Sequence, residues 1–384
     1  MLQTVKFYLI AVLWLVLPPE VMRAADENFP PVPLVEDGNM IQVPVAAFHK
    51  TLYFIVDTGF TISAIDTKYA AYLGDPIASY PAISPLGTRK NVPIYQCPEI
   101  SLAGRPLALE KIAGLDLQML SSIAGRPCDG ILGLDWFAQN VVSINFDRQT
   151  FSVEPATPEI VRNTFVPVPL EPANGYYTMP VRLNGGQVFN LMIDTGDSSS
   201  LSLNEDDWGE LFSTNQTKTV RATVADAVNQ VAQTEIGVLG RLTIQSLNYT
   251  NLHAMRIHCA GQPSRLGLGF FKRHDITFDV GGGMLYLQPG QKYAAADIED
   301  MSGLHLLREG GRTTVYSVDE NSPASAEGIL PRDIIDKVNG QSASALTMDA
   351  IRQILRSGDR VQIALELRRG DNLRDIRIIL KKSI

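Results

Sequence analysis

"FIVDTGFTIS" at residues 54–63 runs an aspartate straight out of an apolar segment and then breaks the chain with Thr-Gly, and "FNLMIDTGDSSS" at residues 189–200 repeats the same grammar. Working outward, the first copy begins at "VPVAAFHKTLYFIVDTG" (43–59) and the second at "MPVRLNGGQVFNLMIDTG" (179–196). Each has an extended Pro-containing strand, a turn, and an apolar strand ending in Asp-Thr-Gly. Farther along, "ILGLDWFAQNVVSINFD" (131–147) is answered by "RLGLGFFKRHDITFD" (265–279), with a shared Leu-Gly-Leu, paired aromatics and a closing Phe-Asp. A lone Asp-Thr-Gly is most simply a surface turn. Two copies in matching contexts describe a duplicated unit.

The runs Tyr53 to Val56 and Leu191 to Ile193 suit strands buried on both faces. Asp57 and Asp194 are therefore delivered to the edge of a core, where an isolated ionised carboxylate is costly. Gly59 and Gly196 permit a tight turn there, and Thr58 and Thr195 bring hydroxyls that can fix it. The cost falls if the two repeats face each other about a pseudo-twofold axis, because carboxylates in contact share one proton and titrate as a pair. The ionised oxygen then takes a proton from a water while the protonated partner polarises a carbonyl, which is chemistry for adding water to an amide. The competing reading is two turn acids with no mutual contact.

These residues resemble the two lobes of an aspartic protease of the pepsin and retroviral-protease clan, in the retropepsin-like branch with both lobes in one chain, over roughly residues 35–290. The resemblance implies a mainly β, bilobal, pseudo-twofold fold. It implies Asp57 and Asp194 as catalytic, Thr58 and Thr195 as an interlock beneath them, Gly59 and Gly196 as dyad support, and Gly133 and Gly267 in the loops behind. It also implies one water as reactant, no cofactor, no metal, protein or peptide substrates, and a monomer. Flaps are expected around 84–95 and 220–236. The chain departs from the family at Phe60 and Asp197, which follow the glycines where small or hydroxylic residues are usual. It departs again at Arg265, which stands where an apolar residue precedes Leu266-Gly267 and bears on the packing of that loop. Asp197 is either a third carboxylate opposing ionisation of the dyad or a solvated acid leading into "SSS".

At the N-terminus, Lys6, the uncharged run Phe7 to Leu17, and Ala24 and Ala25 read as an export signal over 1–24. The expected destination is periplasmic or secreted, with no membrane span in the mature chain; an uncleaved signal anchor is the alternative, since Met22 and Arg23 stand at the cleavage site. The lobes are placed at 35–155 and 175–290, joined by a connector at 156–174 in a five-proline stretch expected to stop regular structure. After a second boundary near 288–303 comes "SPASAEGILPRDIIDKVNG", with a Ser-Pro-Ala helix start and an Asn-Gly turn. Helically spaced Leu346, Ala350, Ile351, Ile354 and Leu355 follow, and then two alternating strands. This resembles a small α+β PDZ domain over 300–384, of the kind common in exported bacterial proteases, although Arg332 replaces a usual glycine. The resemblance implies a peptide ligand, with Gly303, Leu304, His305 and Leu306 forming the loop that captures a terminal carboxylate.

The 384 residues are 45% apolar and 19% charged, an ordinary globular composition. The formal charge of -8 divides into about +1 for residues 300–384 and about -9 before them, as separate modules would have. No basic nucleic-acid footprint is present. Cys97, Cys128 and Cys259 match no zinc spacing and are either buried thiols or one bridge plus one leftover. No Gly-x-Ser-x-Gly, His-Glu-x-x-His or phosphate-binding glycine loop occurs. Three readings compete: an aspartic endopeptidase with a peptide-binding module, an exported peptide-binding adaptor with an inert protease fold, and a structural protein with a coincidental repeat. Retention of both aspartates argues against the second, and the matching contexts argue against the third.

Overall fold

Two short apolar strands in each half of the chain are each flanked by a third that threads between them. In the first half, strand β1 (Met40–Ala47) runs antiparallel to β2 (Lys50–Val56). Strand β3 (Ala64–Asp66) is buried throughout, and after helix α1 (Gln118–Ala124) strand β4 (Gly130–Leu132) inserts between β2, to which it is parallel, and β3, to which it is antiparallel. The second half repeats the plan. Strand β5 (Tyr176–Leu183) is antiparallel to β6 (Val188–Asp194), and β7 (Leu201–Leu203) is followed by β8 (Arg265–Gly267), parallel to β6 and antiparallel to β7. Phe54, Val56, Leu191 and Ile193 are fully buried, which is why these strands carry no polar alternation.

This computed structural model describes residues 30–37, 40–83, 89–212, 219–225, 231–259 and 261–382. The export-type segment 1–24 lies outside the described residues, as do residues 84–88 and 226–230 of the two expected flap segments. The flanking strands are hairpins, Ala78–Ile83 with Arg89–Gln96 and Thr219–Ala225 with Val231–Ile244. Among the described residues no helix is long and apolar enough to cross a membrane. The molecule is mainly β, in several sheets, with a small α+β unit at its C-terminus.

The two halves meet where the second pair of repeats lies. Val141–Asn145 pairs antiparallel with His274–Asp279, and Ser143 sits opposite Thr277 with their hydroxyls 2.8 Å apart. Phe137, Phe271 and Phe278 pack edge to face beneath this seam. The proline-rich connector differs from expectation. It forms a helix, Glu159–Thr164, and a strand, Val166–Pro169, paired with Met284–Pro289 at the edge of the same sheet. An edge strand tolerates Pro167 and Pro169 because one row of its backbone groups needs no partner.

His274 illustrates how completely this seam excludes water. It is 1% exposed, its Nε2 lies 2.6 Å from the Tyr249 hydroxyl, and Tyr249, Phe270 and Tyr293 ring it. Burial lowers its pKa to about 4. The folded state thus holds a neutral imidazole that the unfolded chain protonates near pH 6.5. The resulting stability is complete above pH 6.5 and lost as pH falls toward 4, on the order of 3 kcal/mol from one group. Urea unfolding followed from pH 7 to pH 4 is expected to show this loss, and His274→Gln is expected to flatten it while lowering stability at pH 7. An unchanged slope in the variant would assign the acid sensitivity elsewhere.

The C-terminal unit has its own core of Leu304, Val315, Ile335, Ile351, Leu365 and Ile378 among others. Its first strand, β9 (Leu304–Glu309), pairs with Arg312–Val318, and its main helix, α2 (Met348–Leu355), starts on a Thr347 cap. The unit is docked onto the lobes. Helix α1 lies against β9 and α2, the Arg352 guanidinium donates to the Ile123 carbonyl, and Gly125 approaches the Met348 side chain so closely that a Cβ there would overlap it. The preceding connector is pinned through Asp297, which accepts from Ser200 Oγ, Arg273 and the His253 N–H at 2.7 Å each.

Candidate active site

Asp57 and Asp194 end equivalent strands, and the two loops that carry them are locked together by their threonines. Thr58 N–H donates to Thr195 Oγ1 and Thr195 N–H to Thr58 Oγ1, each at 3.0 Å. Each hydroxyl then donates across the axis to a strand carbonyl, Thr58 to Ile193 at 3.1 Å and Thr195 to Val56 at 2.9 Å. Both threonines are wholly buried, so every donor and acceptor of this four-bond lock is spent inside the protein.

The lock brings the carboxyl groups together. A Cβ on Gly59 would stand 2.3 Å from the Asp194 carboxyl carbon, and one on Gly196 would stand 2.3 Å from that of Asp57. Each loop's glycine therefore faces the other loop's acid, and no larger residue fits. Behind the loops, Gly133 would meet the Phe60 carbonyl at 2.6 Å and Gly267 the Ser199 carbonyl at 2.3 Å. The next residues, Leu134 and Leu268, donate their N–H groups to Phe60 and Asp197 carbonyls at 2.7 and 2.6 Å. Phe60 itself is half-buried against the core of the first lobe.

Burial first, and then the charge of Asp194, hold Asp57 well above the usual carboxylate range. Burial also raises Asp194, against the pull of Arg265. The Arg265 guanidinium is 5% exposed and its Nη1 lies 3.0 Å from Asp194 Oδ2, with Nε 4.0 Å from Asp197 Oδ2. Arg265 is thus drawn to the dyad and does not disturb the loop behind it. Asp197 is the third carboxylate of the site: it accepts from Ser202 Oγ at 2.6 Å and Ser199 N–H at 2.8 Å, and its charge raises Asp194 further.

Both acids line one cavity of about 1980 Å³, which Leu304, His305 and Leu306 of β9 also line. Residues 314–369 match the PDZ domain family. The C-terminal unit is a PDZ domain. Probable CtpA-like serine proteases of Staphylococcus aureus are 30% identical to this chain over 80 residues, 21% of this chain and 16% of theirs. One from Staphylococcus saprophyticus is 32% identical over 76 residues, 20% and 16% respectively. This chain therefore spans about a sixth of the length of those curated relatives. Similar solved structures include basic 7S globulin from soybean, at 10% identity over 70% of this chain and 97% of that one with a TM-score of 0.44. A retropepsin-like aspartic protease from Rickettsia conorii is 18% identical over 32% of this chain and 94% of its own, with a TM-score of 0.26.

Of the four residues expected to form a loop, only Gly303 precedes β9, whereas Leu304, His305 and Leu306 are its first strand residues, paired with Val318, Ser317 and Val315. Gly303 has φ +76° and its N–H donates to Asp300 Oδ1 at 3.0 Å, while Leu304 N–H donates to Ser302 Oγ at 3.1 Å. His305 pairs with Asp319 at 2.9 Å, and Leu304 and Leu306 are buried. Sequence reasoning missed the ordering role of Asp300, the Arg265 contact to Asp194, and the seat of α1 against the PDZ domain. Only the second had a signal, an arginine within an otherwise apolar strand.

Proposed function

We propose that the chain is an aspartic endopeptidase that hydrolyses peptide bonds with a water activated between Asp57 and Asp194. The observation that supports this reading is the reciprocal Thr58–Thr195 lock, with each loop's glycine facing the other loop's carboxyl, since two neighbouring carboxyls resist ionising together. The ionised carboxylate removes a proton from the water as its oxygen bonds to the scissile carbonyl carbon, and the other acid gives its proton to the carbonyl oxygen. The diol then collapses: the C–N bond breaks, the amine leaves with the proton the base had taken, and a hydroxyl proton returns to the acid. Both carboxyls end as they began.

The PDZ domain supplies a peptide-binding edge on the same cavity as the dyad, so we assign it the role of feeding extended chains toward the cleft. The contacts of α1 with β9 and α2 support a role for this domain as part of the cleft wall. The segment at 1–24 supports action outside the cytoplasm. The serine chemistry named for the staphylococcal relatives belongs to proteins of which this chain covers 16%. Treatment with a serine-directed fluorophosphonate is expected to leave peptide cleavage unchanged and to label no serine. Loss of cleavage together with stoichiometric labelling would replace the dyad by a serine nucleophile.

A further inference from the structure

Beside the dyad the two lobes pair their strands in equivalent register, and one of the paired residues differs in charge. Ile55 pairs with Ile131 in the first lobe as Met192 pairs with Arg265 in the second, and in both lobes the next residues lead to the aspartate. Where the first lobe has an isoleucine, the second has a buried cation. Its reach makes the dyad unequal. Asp194 Oδ1 accepts from the N–H groups of Gly196 at 3.0 Å and Asp197 at 3.1 Å, and Oδ2 accepts from Arg265 Nη1 at 3.0 Å. Asp57 Oδ1 accepts from the Gly59 N–H at 2.9 Å and has an isoleucine in place of the guanidinium. Arg265 is held in turn by Gln262 Oε1 at 3.2 Å and by the charge of Asp197.

We propose that Arg265 is a positioning residue that fixes the shared proton on Asp57 and the negative charge on Asp194, so that Asp194 is the base toward water and Asp57 the acid toward the carbonyl. A carboxylate with three donors, one of them cationic, is favoured in its ionised form, and its partner with one donor retains the proton. The charged groups that face this centre are Asp57, Asp194, Asp197 and Arg265. Asp197 and Arg265 cancel, so the four groups carry with one proton the single negative charge that an isolated dyad carries. This extends the endopeptidase reading, on which the base and acid roles rest.

The test has two arms. In protein labelled with ¹³C at aspartate carboxyls and assigned through the Asp57→Asn and Asp194→Asn variants, Asp194 is expected to remain a carboxylate at pH values where Asp57 is still protonated. Asp57 ionised at pH values where Asp194 is still protonated, or equal sharing, overturns the assignment on the unmodified protein without any need for a variant to fold. In the second arm, cleavage is followed against pH. Arg265→Ile, which installs the first lobe's residue, is expected to move both limbs of the profile up by about one to three pH units. Arg265→Lys is expected to restore most of that shift, and Asp197→Asn to move the limbs down. A purely structural role would lower the rate in all three without shifts of opposite sign, and that result overturns the proposal. If the carboxyls titrate in the stated order while the protein cleaves nothing, the endopeptidase reading fails and the proton assignment stands.

Discussion

Replacing either dyad aspartate with asparagine is expected to lower peptide cleavage by about 10²- to 10⁴-fold, the usual worth of a positioned acid or base, with opposite effects on stability in the two lobes. Asp57→Asn removes an acid whose ionisation burial and the charge of Asp194 oppose. Because its folded pKa is raised, the stability it contributes is present below about pH 4 and is lost as pH rises toward the folded value. Its replacement should therefore be neutral or stabilising at pH 7. Asp194→Asn instead strips the buried Arg265 of its nearest counter-charge, and breaking such a pair typically costs about 3–5 kcal/mol, offset here by Asp197. Cleavage assays beside thermal melts separate the two variants. Equal melting temperatures would mean that Arg265 does not depend on Asp194, and full activity in either variant would remove the dyad.

The second large effect concerns a residue with no chemistry of its own. Gly196→Ala puts a methyl group 2.3 Å from the Asp57 carboxyl carbon, closer than any real contact, inside a loop held by four hydrogen bonds. Either the carboxyl swings away or the lock opens, and a displacement of about 1 Å at reacting groups is enough for a loss of about 10²-fold. Gly209→Ala is the control. It lies in the helix Glu205–Phe212, where a Cβ meets nothing within 4 Å, and it should leave the rate unchanged while adding about 0.5–1 kcal/mol of stability. Retained activity in Gly196→Ala would show that the two acids do not face each other as closely as the glycine contacts require.

Much of this arrangement is legible in the sequence because duplication makes it so. An apolar strand ending in Asp-Thr-Gly fixes one lobe's loop, and its recurrence with a matching Leu-Gly segment gives a second lobe in equivalent packing. The contacts the repeats cannot convey are those that break the symmetry. Arg265 in "RLGLGF" is visible as an odd residue in an apolar strand, but only the register Met192–Arg265 beside Asp194 shows where its guanidinium reaches. The seat of α1 on β9 and α2 is invisible for a different reason: "QMLSSIA" is a short amphipathic turn whose partner is fixed by tertiary packing alone. The strand Val166–Pro169 is hidden by its own prolines, which stop a central strand and not one at a sheet edge.

The most direct measurement is cleavage of a diverse peptide mixture by the purified protein from pH 3 to pH 8, read by mass spectrometry beside Asp57→Asn and Asp194→Asn proteins of verified fold. The account predicts new peptide termini from the unmodified protein alone, with a rate that rises and falls on either side of the range in which the pair holds one proton. Cleavage that persists in both variants, or no cleavage at any pH by the folded unmodified protein, would contradict it.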